Sequence, residues 1–177
     1  MIRSTFTKDS TAEDVTQGID LTGKNIVITG VNSGLGQESM RVLASRGAHI
    51  IGTARTMEKA KAAAADVDGK VTPLACELSD FKSVQSCAQA IKALDIPIDV
   101  LICNAGIMAL PKLELANGFE QQFTTNHLGH FILVHSLVDS VKRAEQGRIV
   151  MLSSLAHKMA PKGGILFDNL DGSRWYK

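Results

Sequence analysis

Aromatic residues are scarce in this sequence: they make up 5% of 177 residues, and the single tyrosine, Tyr176, stands one position from the last. Cysteine is also sparse. Cys76, Cys87 and Cys103 are widely spaced in apolar surroundings with no CxxC pair, which argues against a disulfide frame or a zinc site and favours a reducing, cytoplasmic setting. Neither sign of charge is in excess. Nineteen basic and 18 acidic residues give a net charge of +1, so nothing draws the chain toward nucleic acid or anionic lipid. Four prolines and 15 glycines exclude a collagen-like or low-complexity chain. Long apolar runs are missing too. The existing ones are strand-sized, short of the ~18 residues a membrane helix needs, and no membrane span is expected. The N-terminal stretch lacks an apolar core and carries Asp9, Glu13 and Asp14, so no secretory leader is expected.

What remains is the material of one ordinary globular domain, 45% hydrophobic and 21% charged, long enough to bury a core. Residues 1–22 are polar and Thr-rich, and read as a flexible N-terminal arm. From Asn25 onward short apolar runs alternate with helical periods. NIVIT (25–29), AHIIGT (48–53), VTPLACEL (71–78), a stretch within IDVLICNAG (98–106) and RIVMLSS (148–154) read as five strands. Helices are expected from Gly34 to about Arg46, with Leu35, Val42 and Leu43 inward; from Thr56 as cap to near Asp66; and from Ser79 as cap through Phe81, Val84, Ala88, Ile91 and Leu94. A long helix is expected from about Phe119 to Glu145, ended by Gly147. Strands alternating with helices imply right-handed crossovers and an α/β, doubly wound parallel sheet of Rossmann type over 23–177.

After the first strand the chain reads Thr29-Gly30-Val31-Asn32-Ser33-Gly34-Leu35-Gly36 and opens directly into a helix. Glycines in such a turn permit positive φ and close approach of a ligand to the backbone. The helix start offers unpaired N–H groups and partial positive charge to a pyrophosphate. The spacing is GxxxGxG rather than GxGxxG, and no Lys-Ser/Thr follows, so this is not a nucleoside-triphosphate loop. A purely structural turn could carry the same glycines, but a position between first strand and first helix favours a cofactor turn. The end of the second strand bears on which cofactor. A carboxylate about 20 residues past the turn would bind the ribose 2′-hydroxyl of NAD, whereas arginine suits the 2′-phosphate of NADP. The strand closes on Gly52-Thr53-Ala54-Arg55. Arg55 offers a forked, charge-assisted contact to phosphate, and NADP(H) is favoured over NAD(H).

Four stretches in order, TGVNSGLG (29–36), CNAG (103–106), NHLGHF (126–131) and RIVMLSSLAH (148–157), carry a resemblance to the short-chain dehydrogenase/reductase family over nearly all of 21–177. Within it the chain is similar to the retinol-dehydrogenase-like and WW-domain-oxidoreductase-like branch, although it holds no WW domain. The resemblance implies a pyrophosphate turn at Gly30, Gly34 and Gly36, with Asn32, Ser33 and Leu35 beside the phosphates. Glu77 and Leu78 stand where the family has Asp and an apolar residue against the adenine. Asn104, Ala105 and Gly106 occupy three positions of the family's NNAG motif, which supports the sheet and the cofactor ribose; Cys103 replaces its first Asn. Asn126 resembles the helix Asn that holds a water in the proton relay, and Ser154 the Ser that bonds the substrate carbonyl. The family's proton donor is a Tyr with a Lys four residues later, and that YxxxK element is absent. Tyr176 is followed at once by Lys177 and reads as non-catalytic. The chain is therefore expected to be a shortened, catalytically impaired form.

Other constellations are weaker. His127, His130 and His135 share a helix without a carboxylate among them, so packing or surface roles are favoured over a metal site. Ser153, Ser154 and His157 lack a GxSxG elbow. Three functions are carried forward: an NADP(H)-dependent oxidoreductase acting on a small-molecule carbonyl or alcohol; a non-catalytic dinucleotide-binding module; and, remotely, a methyltransferase. Apolar residues such as Met159, Ile165 and Phe167 suit a hydrophobic substrate. RIVMLSS as an uncovered apolar edge would invite association, making a homo-oligomer part of the expectation.

Overall fold

The computed structural model describes residues 5–174 and 176. A helical turn, Ala12–Val15 (α1), precedes β1 (Asn25–Thr29), α2 (Gly34–Ser45), β2 (His49–Ala54), α3 (Met57–Ala64), β3 (Val71–Ala75), α4 (Phe81–Ala93) and β4 (Val100–Cys103). A small hairpin, β5 (Leu115–Ala116) and β6 (Phe119–Glu120), leads into α5 (Gln121–Phe123), a π-helical turn over Thr124–Gly129, α6 (His130–Lys142) and β7 (Arg148–Met151). Two single 3-10 turns, Leu155–Met159 and Phe167–Asn169, follow. The five long strands form one parallel sheet in the order β3-β2-β1-β4-β7. This is the doubly wound α/β class expected from the sequence, and its order reverses between β1 and β4, where such sheets open a crevice at the strands' C-terminal ends.

Alternation along the strands feeds two apolar layers. Val27, Ile51 and Leu101 pack with Val84, Ala88 and Ile91 of α4 and Leu133, Leu137 and Val141 of α6. Ile26, Ile28 and Ile50 face the other way, onto Met40 and Ala44 of α2. A sheet covered on both faces explains why these strands read as unbroken apolar runs. Each fully buried Ile or Leu contributes about 1.5–3 kcal/mol, so ordering the sheet and seating the helices are one event. Pro73 lies in β3, an edge strand, where its missing N–H leaves no ladder partner wanting.

Within the N-terminal arm Thr11 and Asp14 form a capping box around α1, Glu13 pairs with Arg41 of α2, and Arg46 Nε donates to Thr16 Oγ1. Residues 1–4 of that arm lie outside the described residues. Several sequence expectations are corrected. Leu35 points outward and is 75% exposed, because the first turn of α2 projects over the crevice instead of onto the sheet. Asp80, not Ser79, caps α4 by accepting the Lys82 N–H; Ser79 is engaged by the Glu77 carboxylate. The single helix expected from Phe119 is replaced at its start by the hairpin. Asn117 and Gly118 adopt φ of 53° and 81°, the left-handed pair that a two-residue hairpin turn requires. Glu120 then caps α5 by accepting the Phe123 N–H at 2.8 Å.

Candidate functional site

The crevice between β1 and β4 is a cleft of about 370 Å³. Eleven of the twelve residues singled out for a cofactor line it: Gly30, Asn32, Ser33, Leu35, Gly36, Arg55, Glu77, Leu78, Asn104, Ala105 and Gly106. Gly34 lies outside its lining, as do Asn126 and Ser154.

The floor of the cleft demands glycine. A Cβ on Gly36 would lie 2.2 Å from the Gly30 carbonyl oxygen and 2.5 Å from Asn104 Nδ2. Gly30 has φ of +75°, and its Cβ would meet that of Ala105 at 2.8 Å. The glycine turn is thus pressed against the loop after β4 and fastened there: Asn104 Nδ2 donates to the Thr29 carbonyl at 2.9 Å, and the Asn104 and Ala105 N–H groups both donate to Thr29 Oγ1 at 3.0 Å. Above this floor α2 begins. Its N-cap, Ser33, makes no side-chain cap bond, and no acidic residue occupies its first turn. The helix therefore presents its unpaired N–H groups and positive pole to the cleft, the arrangement that receives phosphate.

The cleft's far side is set by β2, β3 and the π-helical turn. Arg55 follows β2, is solvent-exposed and has no acidic partner among the described residues. Glu77 lies beyond β3, its carboxylate accepting from the Ser79 N–H and hydroxyl at 3.1 and 2.9 Å. Thr125 also lines the cleft, and its buried Oγ1 has no hydrogen-bond partner among the described residues. A buried hydroxyl left unmatched is costly unless something else fills the space. Sequence reasoning passed over Thr125; a polar residue beside NHLGHF was its only signal.

Asn126 does not face the cleft directly. Its Oδ1 accepts the Ile107 N–H at 2.9 Å and its Nδ2 donates to the Ile107 carbonyl at 2.8 Å. It clasps the loop that lines the cleft. Ser154 is exposed, and its Oγ caps the first 3-10 turn by accepting the Ala156 N–H at 3.1 Å. Tyr176 stands apart, its hydroxyl near Gln122 Nε2 and the Leu110 carbonyl. His130 is 2% exposed and bonded through both ring nitrogens, a satisfied core histidine whose burial holds its pKa below the usual imidazole range. Burial likewise pushes the Cys103 thiol up to about 11, which leaves a packing residue rather than a nucleophile. Among the described residues no group of three or more His, Cys, Asp or Glu side chains is arranged to hold a metal, and no helix is long and apolar enough to cross a membrane.

Comparison with known proteins agrees with this geometry. The short chain dehydrogenase family model matches residues 24–167. The chain is 40% identical to short-chain dehydrogenase TIC 32 B, chloroplastic, of Brassica napus, over 96% of this chain and 56% of that protein. It is 39% identical to human retinol dehydrogenase 11, over 91% of this chain and 51% of the relative. It thus spans about half the length of the curated relatives it matches. Among solved structures, a metagenomic short-chain oxidoreductase in complex with NADP superposes with a TM-score of 0.67 at 30% identity, over 78% of this chain and 65% of its own. The fold, the glycine turn on the sheet's switch point and these relatives together make this chain a member of the short chain dehydrogenase family of oxidoreductases.

Proposed function

We propose that this chain binds NADP(H) across the cleft and serves hydride transfer between the nicotinamide and a small-molecule carbonyl or alcohol, hydrophobic in character. The observation that carries the reading is the uncapped, acid-free N-terminus of α2 above a floor that admits only glycine, with Arg55 at the cleft's other end. When bound, the dinucleotide supplies a hydride at its nicotinamide ring. The chain's own residues do the rest. Backbone N–H groups at Gly34–Gly36 meet the pyrophosphate. Arg55 offers its fork to the 2′-phosphate, in keeping with the NADP held by a structural neighbour. Leu78, which the resemblance sets against the adenine, and Thr125 would line the same cleft, and Asn104 keeps the floor closed. Reduction of a carbonyl builds negative charge on its oxygen, which needs a fixed donor; Ser154, beyond the C-terminal end of β7, is the hydroxyl assigned to it.

A second reading, a dinucleotide-binding module with little or no turnover, has a specific observation in its favour. Tyr176, the single tyrosine of the sequence, stands at Gln122 and Leu110 instead of in the cleft. One experiment addresses both. NADPH and NADH are titrated by fluorescence, and turnover of aldehydes and ketones is then measured. Tight NADPH binding with slow or absent turnover is the expected result; no binding of either dinucleotide would defeat both readings. A reducing, cytoplasmic compartment is part of the proposal, in keeping with three buried free thiols, Cys76, Cys87 and Cys103.

A further inference from the structure

One buried polar chain ties the helix side of the molecule to the floor of the cleft, and nothing in the proposed chemistry requires it. Thr29 Oγ1, fully buried, accepts the N–H groups of Asn104 and Ala105, both at 3.0 Å, and lies 2.9 Å from His130 Nε2. A threonine hydroxyl has two lone pairs and one proton. With both lone pairs taken, its proton points at Nε2, which must be the bare nitrogen of a neutral ring. Nδ1 therefore carries the ring proton, and its hydrogen-bond partner among the described residues, the Asn126 carbonyl oxygen at 3.0 Å, is an acceptor. The alternative tautomer would set Nε2–H against a filled oxygen and a lone pair against a carbonyl. The network admits one assignment.

The consequence is mechanical. The loop after β4 is gripped at two points by the segment that begins α6. His130 holds it through Thr29 at Asn104 and Ala105, and Asn126 clasps it at Ile107, at 2.9 and 2.8 Å. His130 also holds the Asn126 peptide, so both grips share one ring. Across the same loop, Ala105 abuts Gly30 so closely that no Cβ fits between.

We propose that His130, locked as the neutral Nδ1–H tautomer, is a positioning residue of the dinucleotide cleft: it fixes the Thr29 hydroxyl and the Asn126 peptide, and through them the separation of the glycine turn from the loop at Asn104–Ile107. The proposal rests on the dinucleotide reading above and goes beyond it, because no atom of His130 lines the cleft.

Two measurements test it. The long-range ¹H–¹⁵N spectrum of histidine-labelled, ligand-free protein at neutral pH should show the His130 ring as Nδ1–H; an Nε2–H or doubly protonated ring overturns the assignment whatever the dinucleotide does. NADPH titrations then compare wild type, His130→Leu, Thr29→Val and the double variant, with a thermal melt confirming that each is folded. His130→Leu strands a buried hydroxyl and a carbonyl, and roughly tenfold weaker NADPH binding is expected. In the Thr29→Val background the same change should cost clearly less, since the Thr29 bond is already gone and only the bond to the Asn126 carbonyl is left to lose. Unchanged affinity in a folded His130→Leu, or additive losses, overturns the proposal while leaving the dinucleotide reading intact. If His130→Leu does not fold, Thr29→Ser and Thr29→Val decide: the hydroxyl-bearing variant should bind as wild type and the other weakly, and equal binding overturns the proposal. A wild type that binds no NADPH defeats both readings.

Discussion

Gly36→Ala isolates the glycine floor with a single methyl group. The new Cβ would stand 2.2 Å from the Gly30 carbonyl oxygen, about 0.8 Å inside the 3.0 Å limit of real contacts, and 2.5 Å from Asn104 Nδ2. Neither neighbour yields easily. One is backbone, and the other is a side chain held by the Thr29 carbonyl at 2.9 Å. The start of α2 must therefore lift off the turn. Overpacking of this kind costs about 1–3 kcal/mol, whereas alanine in a helix gains about 1 kcal/mol over glycine. The net effect on folding is a loss of at most about 2 kcal/mol. The effect on binding is larger relative to its scale. The N–H groups that would receive the pyrophosphate move with the helix, and NADPH affinity should fall tenfold or more, at about 1.4 kcal/mol per decade.

The assay is a fluorescence titration with NADPH beside a thermal melt of the same preparation. Gly34→Ala is the comparison. Its φ is +58°, so the substitution strains the backbone, but nothing lies within 4 Å of the added methyl. It should lose about 1–2 kcal/mol of stability with a smaller loss of affinity. A folded Gly36→Ala chain that binds NADPH like wild type would refute both the close packing of turn on loop and the placement of the pyrophosphate there.

Arg55→Ala should weaken NADPH at least tenfold while leaving NADH within about twofold; parallel losses for both would remove Arg55 from any contact with a 2′-phosphate. Stability should decline as pH falls. His130 and His49 are both held below the ordinary imidazole value of 6.5 by burial, so the unfolded chain binds protons that the native chain refuses. Their contribution is present above pH 6.5 and is lost progressively below it; a chemical-denaturation midpoint that is flat between pH 7.5 and 5.5 would contradict this. Finally, among the described residues β7 pairs with β4 alone and leaves Val150 47% and Met151 51% exposed. Such an edge recruits other strands, so light scattering should detect concentration-dependent association that Val150→Lys reduces, and a strictly monomeric, sharp melt of the unmodified chain would refute it.

The parts of this fold legible in sequence are those that backbone physics imposes residue by residue. The sheet announced itself because strands covered on both faces must be apolar throughout. The glycine turn did so because Gly30 and Gly36 sit where a methyl group has no room. Local chemistry was read less well where two residues compete for one role. Ser79 and Asp80 are both good caps, and only the contact of Ser79 with Glu77 decides for Asp80. The Asn117-Gly118 turn carried a recognised hairpin signal, but the helical period downstream masked it. The π-helical turn over 124–129 takes one more residue per turn than an α-helix and is flanked by tertiary bonds, of Asn126 with Ile107 and of His130 with Thr29.

The same distinction separates the two halves of the site. Residues on the dinucleotide side are fixed by strand ends and a helix start, whose demands on side-chain type are severe, so a one-dimensional pattern of glycines, Asn104 and Arg55 could be read as chemistry. The links that hold those residues in place are not patterned at all. Thr29 and His130 are 101 positions apart, and either alone looks like an ordinary core residue; only the count of lone pairs and protons at their meeting point shows that they function as a unit. Ser154, by contrast, sits in an exposed segment, capping a short turn of its own, and its proposed role draws on resemblance where that of Gly36 draws on sterics. The cleft should accordingly tolerate substitution least at Gly30, Gly36, Thr29 and His130, whose geometry is over-determined, and more at Arg55 and Glu77, which line it without shaping the floor.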